Sequence, residues 1–216
     1  MTEKASGNPR PLPRLGPVMR LVNQVLFPIK LLIPQPYIRA IPGLTTNEDI
    51  RFEAALSVTR GRLLDIGCGP NRMARLYRAA GGDGTGVDTY PWEEVDAHIQ
   101  DSTKMDFPSQ SFDTITFVGS FNHVVNREET LAEAMRLLRP DGRVVLTMLT
   151  PAVSLAWHKF AWWDRDQHER GMKEGEEWGF SEEELIDIFS RAGLEVEEIR
   201  KFSWGLNRLY VFRKKK

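Results

Sequence analysis

From Gly61 onward the chain alternates two spacings of hydrophobic positions. Short apolar runs at residues 62–66, 85–87, 97–100, 114–118 and 143–148 read as strands. Between them, residues 71–80 and 128–138 repeat apolar side chains at three and four, so they read as amphipathic helices. The first stops at Gly81 and Gly82, and "RPDG" at 139–142 places Pro and Gly where a type I turn wants them. Strand and helix alternating in this way argue for a parallel sheet. Ser181 and Glu184 then form a capping box for a helix that ends at Gly193, and two strands follow near 195–201 and 209–213. The turn between them, around Gly205, is too short for a crossover, so that pair is expected to be antiparallel.

Upstream, Val18, Leu21, Val22, Val25, Ile29 and Leu32 keep helical spacing, with Pro28 as a kink. Residues 33–43, "IPQPYIRAIPG", read as extended or turning, and a further helix starts at Thr46, with Asp49 three residues on, and runs to about Ser57. The expected organisation is a flexible arm at 1–16, a helical and extended cap at 17–45, and a main domain at 46–216. An aromatic-rich insertion at 151–180 stands out within that domain.

Composition narrows the picture without deciding it. A chain of 216 residues suits one domain, and 41% hydrophobic with 27% charged residues is ordinary for a globular protein. A net charge of −1 offers no global attraction to nucleic acid, although both chain ends are locally basic and could meet an anionic surface. One cysteine, Cys68, makes no intrachain disulfide, so a cytoplasmic address is expected. The apolar stretch at 18–33 is interrupted by Arg20, Pro28 and Lys30 and is read as neither a membrane span nor a signal peptide.

The chemistry concentrates at "GRLLDIGCGPNRMARLY", residues 61–77. Gly67 and Gly69 remove side chains where a strand gives way to a helix, so a ligand can approach the backbone. Nineteen residues after Gly69, Asp88 ends the second strand, where a carboxylate can accept from both hydroxyls of a ribose. A dinucleotide fingerprint would want a third glycine where Arg72 stands, and there is no Gly-Lys-Ser/Thr phosphate loop. Asp65 adds negative charge that disfavours a pyrophosphate and favours a cationic ligand. Asp101, after the third strand, can accept from an exocyclic amine.

These residues resemble the class I S-adenosylmethionine-dependent methyltransferases of the small-molecule type, over roughly residues 46–213. "LLDIGCGP" is similar to their first motif, "GVD" to the second, "QDSTKMDFPSQSFDTITF" to the third, and "EAMRLLRPDGRVVLTM" to the helix, turn and fifth strand. The resemblance implies an α/β, doubly wound, Rossmann-like seven-stranded sheet ordered 3-2-1-4-5-7-6, with the seventh strand antiparallel. It also implies S-adenosylmethionine as cofactor, with Asp65, Gly67, Cys68 and Gly69 around its methionine part, Asp88 at the ribose and Asp101 with Ser102 at the adenine edge. Gly119, Ser120, Phe121 and His123 would then lie near the transferring methyl. Asn71 departs from the family, where many members carry a further glycine, but Asn tolerates left-handed dihedrals.

Methyl transfer from a sulfonium is an in-line displacement with a neutral leaving group, so positioning is the main demand on the protein. A hydroxyl or ammonium acceptor must still lose a proton, and His123 in "GSFNHVV" is the candidate base, against the plainer reading of a non-titrating rim residue. The insertion, with Trp157, His158, Trp162, Trp163 and His168, reads as a lid over an acceptor or as rings packed on the N-terminal helix. Asp164, Asp166 and His168 form a conceivable metal triad, but a solvated charged loop is the commoner case, and no metal is expected. Cys68 is expected to serve through its backbone. The kinked N-terminal helix caps the pocket, lies on the inner membrane surface through residues 17–40, or makes a dimer contact. The family's Asn-Pro-Pro-Tyr signature for DNA or protein glutamine is absent after the fourth strand, so the acceptor is expected to be a small organic molecule, lipidic under the membrane reading. The rivals are an NAD-dependent oxidoreductase and a non-catalytic nucleoside-binding adaptor at a membrane.

Overall fold

The computed structural model describes Leu12 and residues 15–160 and 174–215. Seven strands form one sheet: β1 (Arg62–Ile66), β2 (Asp83–Asp88), β3 (Ala97–His98), β4 (Phe112–Val118), β5 (Leu138–Leu149), β6 (Leu194–Phe202) and β7 (Asn207–Lys214). Their order is 3-2-1-4-5-7-6, with β1 to β5 parallel and β7 antiparallel to both of its neighbours. The expected doubly wound α/β sheet is therefore present, and the final hairpin has the sense that its short turn requires.

The period-two spacing of apolar residues assigns the two faces of the sheet. Leu64, Ile115, Val144 and Phe212 bury on one side with Leu131, Ala134 and Leu137 of α6 (Arg127–Leu137) and with Leu185 and Phe189 of α8 (Glu182–Arg191). Their neighbours Leu63, Val145 and Val211 bury on the other side with Phe52 and Ala55 of α4 (Asn47–Leu56) and with Met73 and Leu76 of α5 (Arg72–Ala79). Both predicted capping boxes form. Thr46 Oγ1 accepts from Asp49 N at 3.0 Å while Asp49 Oδ2 accepts from Thr46 N at 2.8 Å, and Ser181 pairs with Glu184 in the same way.

Three local readings need correction. Residues 35–40 are helical, as α3 (Gln35–Ala40), because Pro36 in the first turn lacks only an N–H that a helix start leaves unused. The "RPDG" segment belongs to β5: Phe112 pairs with Leu138 and Thr114 with Arg143, so residues 139–142 loop out as an irregularity within the strand. The third strand covers only Ala97–His98. The N-terminal helix divides near Pro28 into α1 (Pro17–Val25) and α2 (Phe27–Lys30). After β5 the chain continues as α7 (Pro151–Phe160).

Candidate functional site

The carboxyl ends of β1, β2 and β4 open into a cleft of about 840 Å3. Asp65, Gly67, Cys68 and Gly69 line it from β1, Asp88 from β2, Asp101 and Ser102 from the segment after β3, and Gly119, Ser120 and His123 from β4. Residues remote in sequence thus meet because parallel strands all end on one side.

The turn after β1 does two different things with its glycines. A Cβ on Gly67, whose φ is +70°, would sit 2.6 Å from Ser120 Cβ, so this glycine allows β1 and β4 to come together. Gly69, at φ +56°, has nothing within 4 Å of the same position, which leaves its backbone bare toward the cleft. Asn71 follows in a left-handed conformation (φ 56°, ψ 27°), fully buried, and its Nδ2 donates to the Glu94 carbonyl at 2.7 Å. The further glycine that many class I methyltransferases carry here is replaced by a residue type that tolerates that geometry.

The acids differ in environment. Asp88 Oδ2 accepts from Gly69 N and Oδ1 from Tyr90 N, both at 2.8 Å, so the carboxylate is fixed with further acceptor capacity on each oxygen. Asp65 is 2% exposed, and its Oδ1 accepts from Thr116 Oγ1 at 2.6 Å. Burial raises its carboxyl to about 7; the Thr116 bond opposes the rise and nearby Asp88 adds to it. Asp101 accepts from Thr103 N at 2.8 Å and from Thr103 Oγ1 at 2.7 Å, while Ser102 Oγ shares a 2.8 Å bond with Thr130 Oγ1. Burial, reinforced by Asp65, Asp88 and Asp96, pushes the Cys68 thiol far above its ordinary range, so a thiolate is not available there.

Ser120 spends its hydroxyl on the Ile66 carbonyl at 2.7 Å. Phe121, expected beside an acceptor, instead is fully buried against Phe117 and Phe189, with ring centroids 5.3 and 5.1 Å away. Its 3-10 turn points the ring into the core and leaves His123 at the cleft. His123 Nδ1 lies 2.9 Å from Oε2 of Glu176, whose side chain is 1% exposed. Glu177 N donates to the Asn122 carbonyl at 2.9 Å and Arg127 to the Gly175 carbonyl at 3.0 Å, pinning this end of the insertion to the loop after β4. Trp157, His158, Trp162, Trp163 and His168, with Asp164 and Asp166, have side chains outside the described residues.

Several lining residues had no motif to announce them. Arg51 of α4 lies so close over Gly119 that a Cβ there would be 2.2 Å from its guanidinium. Trp92 packs on Tyr90 with centroids 4.6 Å apart. Gln35, Pro36 and Arg39 of α3 form one lip of the cleft. That lip is tied down by ion pairs: Arg39 and Arg72 both reach Glu48, the latter at 2.8 Å, and Arg72 reaches Asp49 at 2.5 Å. The position that denied a dinucleotide fingerprint therefore anchors α4 to α5.

A group bearing an adenosine and a sulfonium fits this donor set. Carboxylates mark three strand ends, the turn at Gly69 is open, and no phosphate cradle is present among the described residues.

A methyltransferase-domain family model matches residues 44–199, well over half the chain. Demethylmenaquinone methyltransferase of Tropheryma whipplei is 28% identical over 131 residues, covering 53% of this chain and 54% of that protein. Ubiquinone biosynthesis O-methyltransferase of Dechloromonas aromatica is 27% identical over 112 residues, covering 45% and 48%. The chain thus spans about half the length of the curated relatives it matches. In fold it is similar to Burkholderia thailandensis 1,6-didemethyltoxoflavin-N1-methyltransferase, solved with its substrate and S-adenosylhomocysteine, at a TM-score of 0.57 and 16% identity over 96% of this chain and 94% of that one. Motif order, sheet order and the family match agree: the chain belongs to the methyltransferase-domain family, with the class I S-adenosylmethionine-dependent fold.

Proposed function

We propose that the protein transfers a methyl group from S-adenosylmethionine to a small organic acceptor of lipidic character. The observation that carries the cofactor half is the pair Asp65 and Asp88 flanking a bare Gly69 in a cleft without a phosphate cradle. When bound, the cofactor supplies an electrophilic methyl on a sulfonium. Asp88 accepts from the ribose hydroxyls, Asp101 and Ser102 face the adenine edge, and Trp92 gives it an apolar wall. Asp65 and the backbone of Gly67, Cys68 and Gly69 receive the amino-acid part, whose positive charge a buried carboxylate favours. Arg51, over Gly119, supplies charge for the opposite end of that part.

On the acceptor side, His123 donates from Nδ1 to Glu176 Oε2 and takes a proton from an acceptor hydroxyl at Nε2. Gly119 and Ser120 shape the space between, and the rest of the rate comes from holding acceptor, methyl and sulfur in line, worth about 7–11 kcal/mol at the upper limit.

Relatives bearing the names demethylmenaquinone and ubiquinone biosynthesis methyltransferase support an apolar acceptor. With it goes a peripheral contact of residues 17–40 at the inner membrane surface. Among the described residues no helix is long and apolar enough to cross a membrane.

The test is incubation with methyl-labelled S-adenosylmethionine and fractionated cell extract. Label should enter a compound of the organic phase. Label confined to protein or nucleic acid would overturn the reading, and cofactor binding with no label in any fraction would favour a non-catalytic adaptor.

A further inference from the structure

The N-terminal helices are inside out. Val18, Leu21, Val25, Ile29 and Leu32 recur at intervals of three and four, and they are 73%, 61%, 55%, 56% and 70% exposed. The opposite stripe, Asn23, Phe27 and Lys30, is the buried one. Helical hydrogen bonds continue across the junction, from Leu26 N to the Val22 carbonyl and from Lys30 N to the Leu26 carbonyl, so the stripe stays on one side of both segments.

A polar cluster fixes this rotation. Lys30 Nζ donates to Asn23 Oδ1 and to the Thr45 carbonyl, each at 2.8 Å, and Asn23 Nδ2 donates to the Gly43 carbonyl at 2.7 Å. Turning the aliphatic face inward would break these bonds inside the protein, and burying the amine already costs enough to lower its pKa to about 8. A helix that directs a lysine and an asparagine inward and five aliphatic residues outward is built for an apolar partner.

Two further segments enlarge the face. The indole of Trp204, in the turn between β6 and β7, donates to the Gln24 carbonyl at 2.6 Å while the residue stays 63% exposed. Such a ring, polar at one edge and apolar elsewhere, suits a membrane interface. Tyr37 and Ile41 stand exposed at α3, the element that also lends Gln35, Pro36 and Arg39 to the lip of the cleft.

Charge selects the partner. Apart from the inward Lys30, the sequence between Lys4 and Thr46 has five basic residues, Arg39 among them paired with Glu48, and no acidic one, although the whole chain is near neutral. From this inverted polarity and one-sided charge we infer that the face formed by α1, α2, the exposed edge of α3 and Trp204 docks on the surface of an anionic phospholipid bilayer. Docking sets the α3 lip of the cleft at the headgroup layer, where an apolar acceptor can pass from bilayer to site. The docking surface stands on its own observations; the entry route rests on the lipidic-acceptor reading.

The experiment is co-sedimentation of the full chain with vesicles of phosphatidylcholine alone or mixed with phosphatidylglycerol, at low and high salt, for the wild type and for Leu21→Glu with Val25→Glu. Binding is expected only with phosphatidylglycerol, weakened by salt, and reduced about tenfold or more in the double variant, since two carboxylates enter the apolar face. Unchanged melting temperature and S-adenosylmethionine affinity would show that the variant is folded; if it is not, Val18→Glu, at the most exposed position of the same stripe, replaces it. No vesicle binding by the wild type would overturn the docking inference, as would a concentration-dependent dimer that the double variant abolishes. Retained vesicle binding with methyl transfer only to water-soluble acceptors would refute the entry route and leave the docking surface standing.

Discussion

The backbone N–H of Gly69 donates to Oδ2 of Asp88 across 2.8 Å, so the acid ending β2 is tied to the glycine turn that ends β1. The bond orients the carboxylate before any ligand arrives. Replacing Asp88 with Ala removes charge-assisted bonds worth about 1.5–3 kcal/mol to the cofactor. Calorimetry should therefore show S-adenosylmethionine affinity falling by one to two orders of magnitude with the fold retained. Unchanged affinity would remove Asp88 from the site.

The two glycines of the turn should separate stability from binding. Alanine at either position takes on the left-handed cost of roughly 1–2 kcal/mol. At Gly67 the new methyl also meets Ser120, so Gly67→Ala should lower the melting temperature more. At Gly69 it meets no protein atom within 4 Å, and Gly69→Ala should lose cofactor affinity in excess of its loss of stability. Equal melting temperatures for the two variants would contradict this division.

Asp65 predicts a pH dependence of definite sign. Its carboxyl rises on folding from 3.8 to about 7, so the native state holds a proton that the unfolded chain has released. Its contribution to stability is full below about pH 4 and is lost as pH rises through about 7, with an upper limit of roughly 4 kcal/mol. Denaturant melts of the wild type and Asp65→Asn across this range should differ by that decline, which the variant lacks. Because a cationic ligand favours the ionised form, cofactor binding near neutral pH should release a proton, seen as a dependence of binding heat on the ionisation enthalpy of the buffer. A heat independent of buffer would contradict the placement of positive charge beside Asp65.

His123 and Glu176 test the acceptor side. His123→Ala should keep cofactor affinity and lose about 10²–10⁴ in turnover near neutral pH, recovering as pH rises and the acceptor ionises by itself. Glu176→Gln should lower turnover with cofactor affinity unchanged. Full turnover by His123→Ala across the pH range would exclude a base there.

Much of this fold could be read from the chain because its signals are local. Strand alternation, the two capping boxes and the short turn at Gly205 depend on neighbours in sequence, and each gave the element found. Errors arose where spatial context decided. Pro34 and Pro36 suggested extended chain, yet one proline in the first turn of α3 costs a helix nothing. Phe121 sits among residues that do line the cleft, but a 3-10 turn rotates its ring into the core. The motif positions Asp65, Gly69, Asp88 and Asp101 converge because strand order brings them together. Arg51 and Glu176 left no such trace, since a lone charged residue looks the same on a solvated face as over a cleft. The outward turn of the N-terminal apolar stripe was equally hidden, because periodicity reports that a helix has two faces and leaves open which one is buried.

Titration of S-adenosylmethionine, S-adenosylhomocysteine and NADH into the wild-type protein tests the central claim most directly. Single-site binding of the first two, lost when Asp65 and Asp88 are both neutralised, with no heat from NADH, is the predicted result. Binding of NADH with silence from both sulfur nucleosides would contradict it.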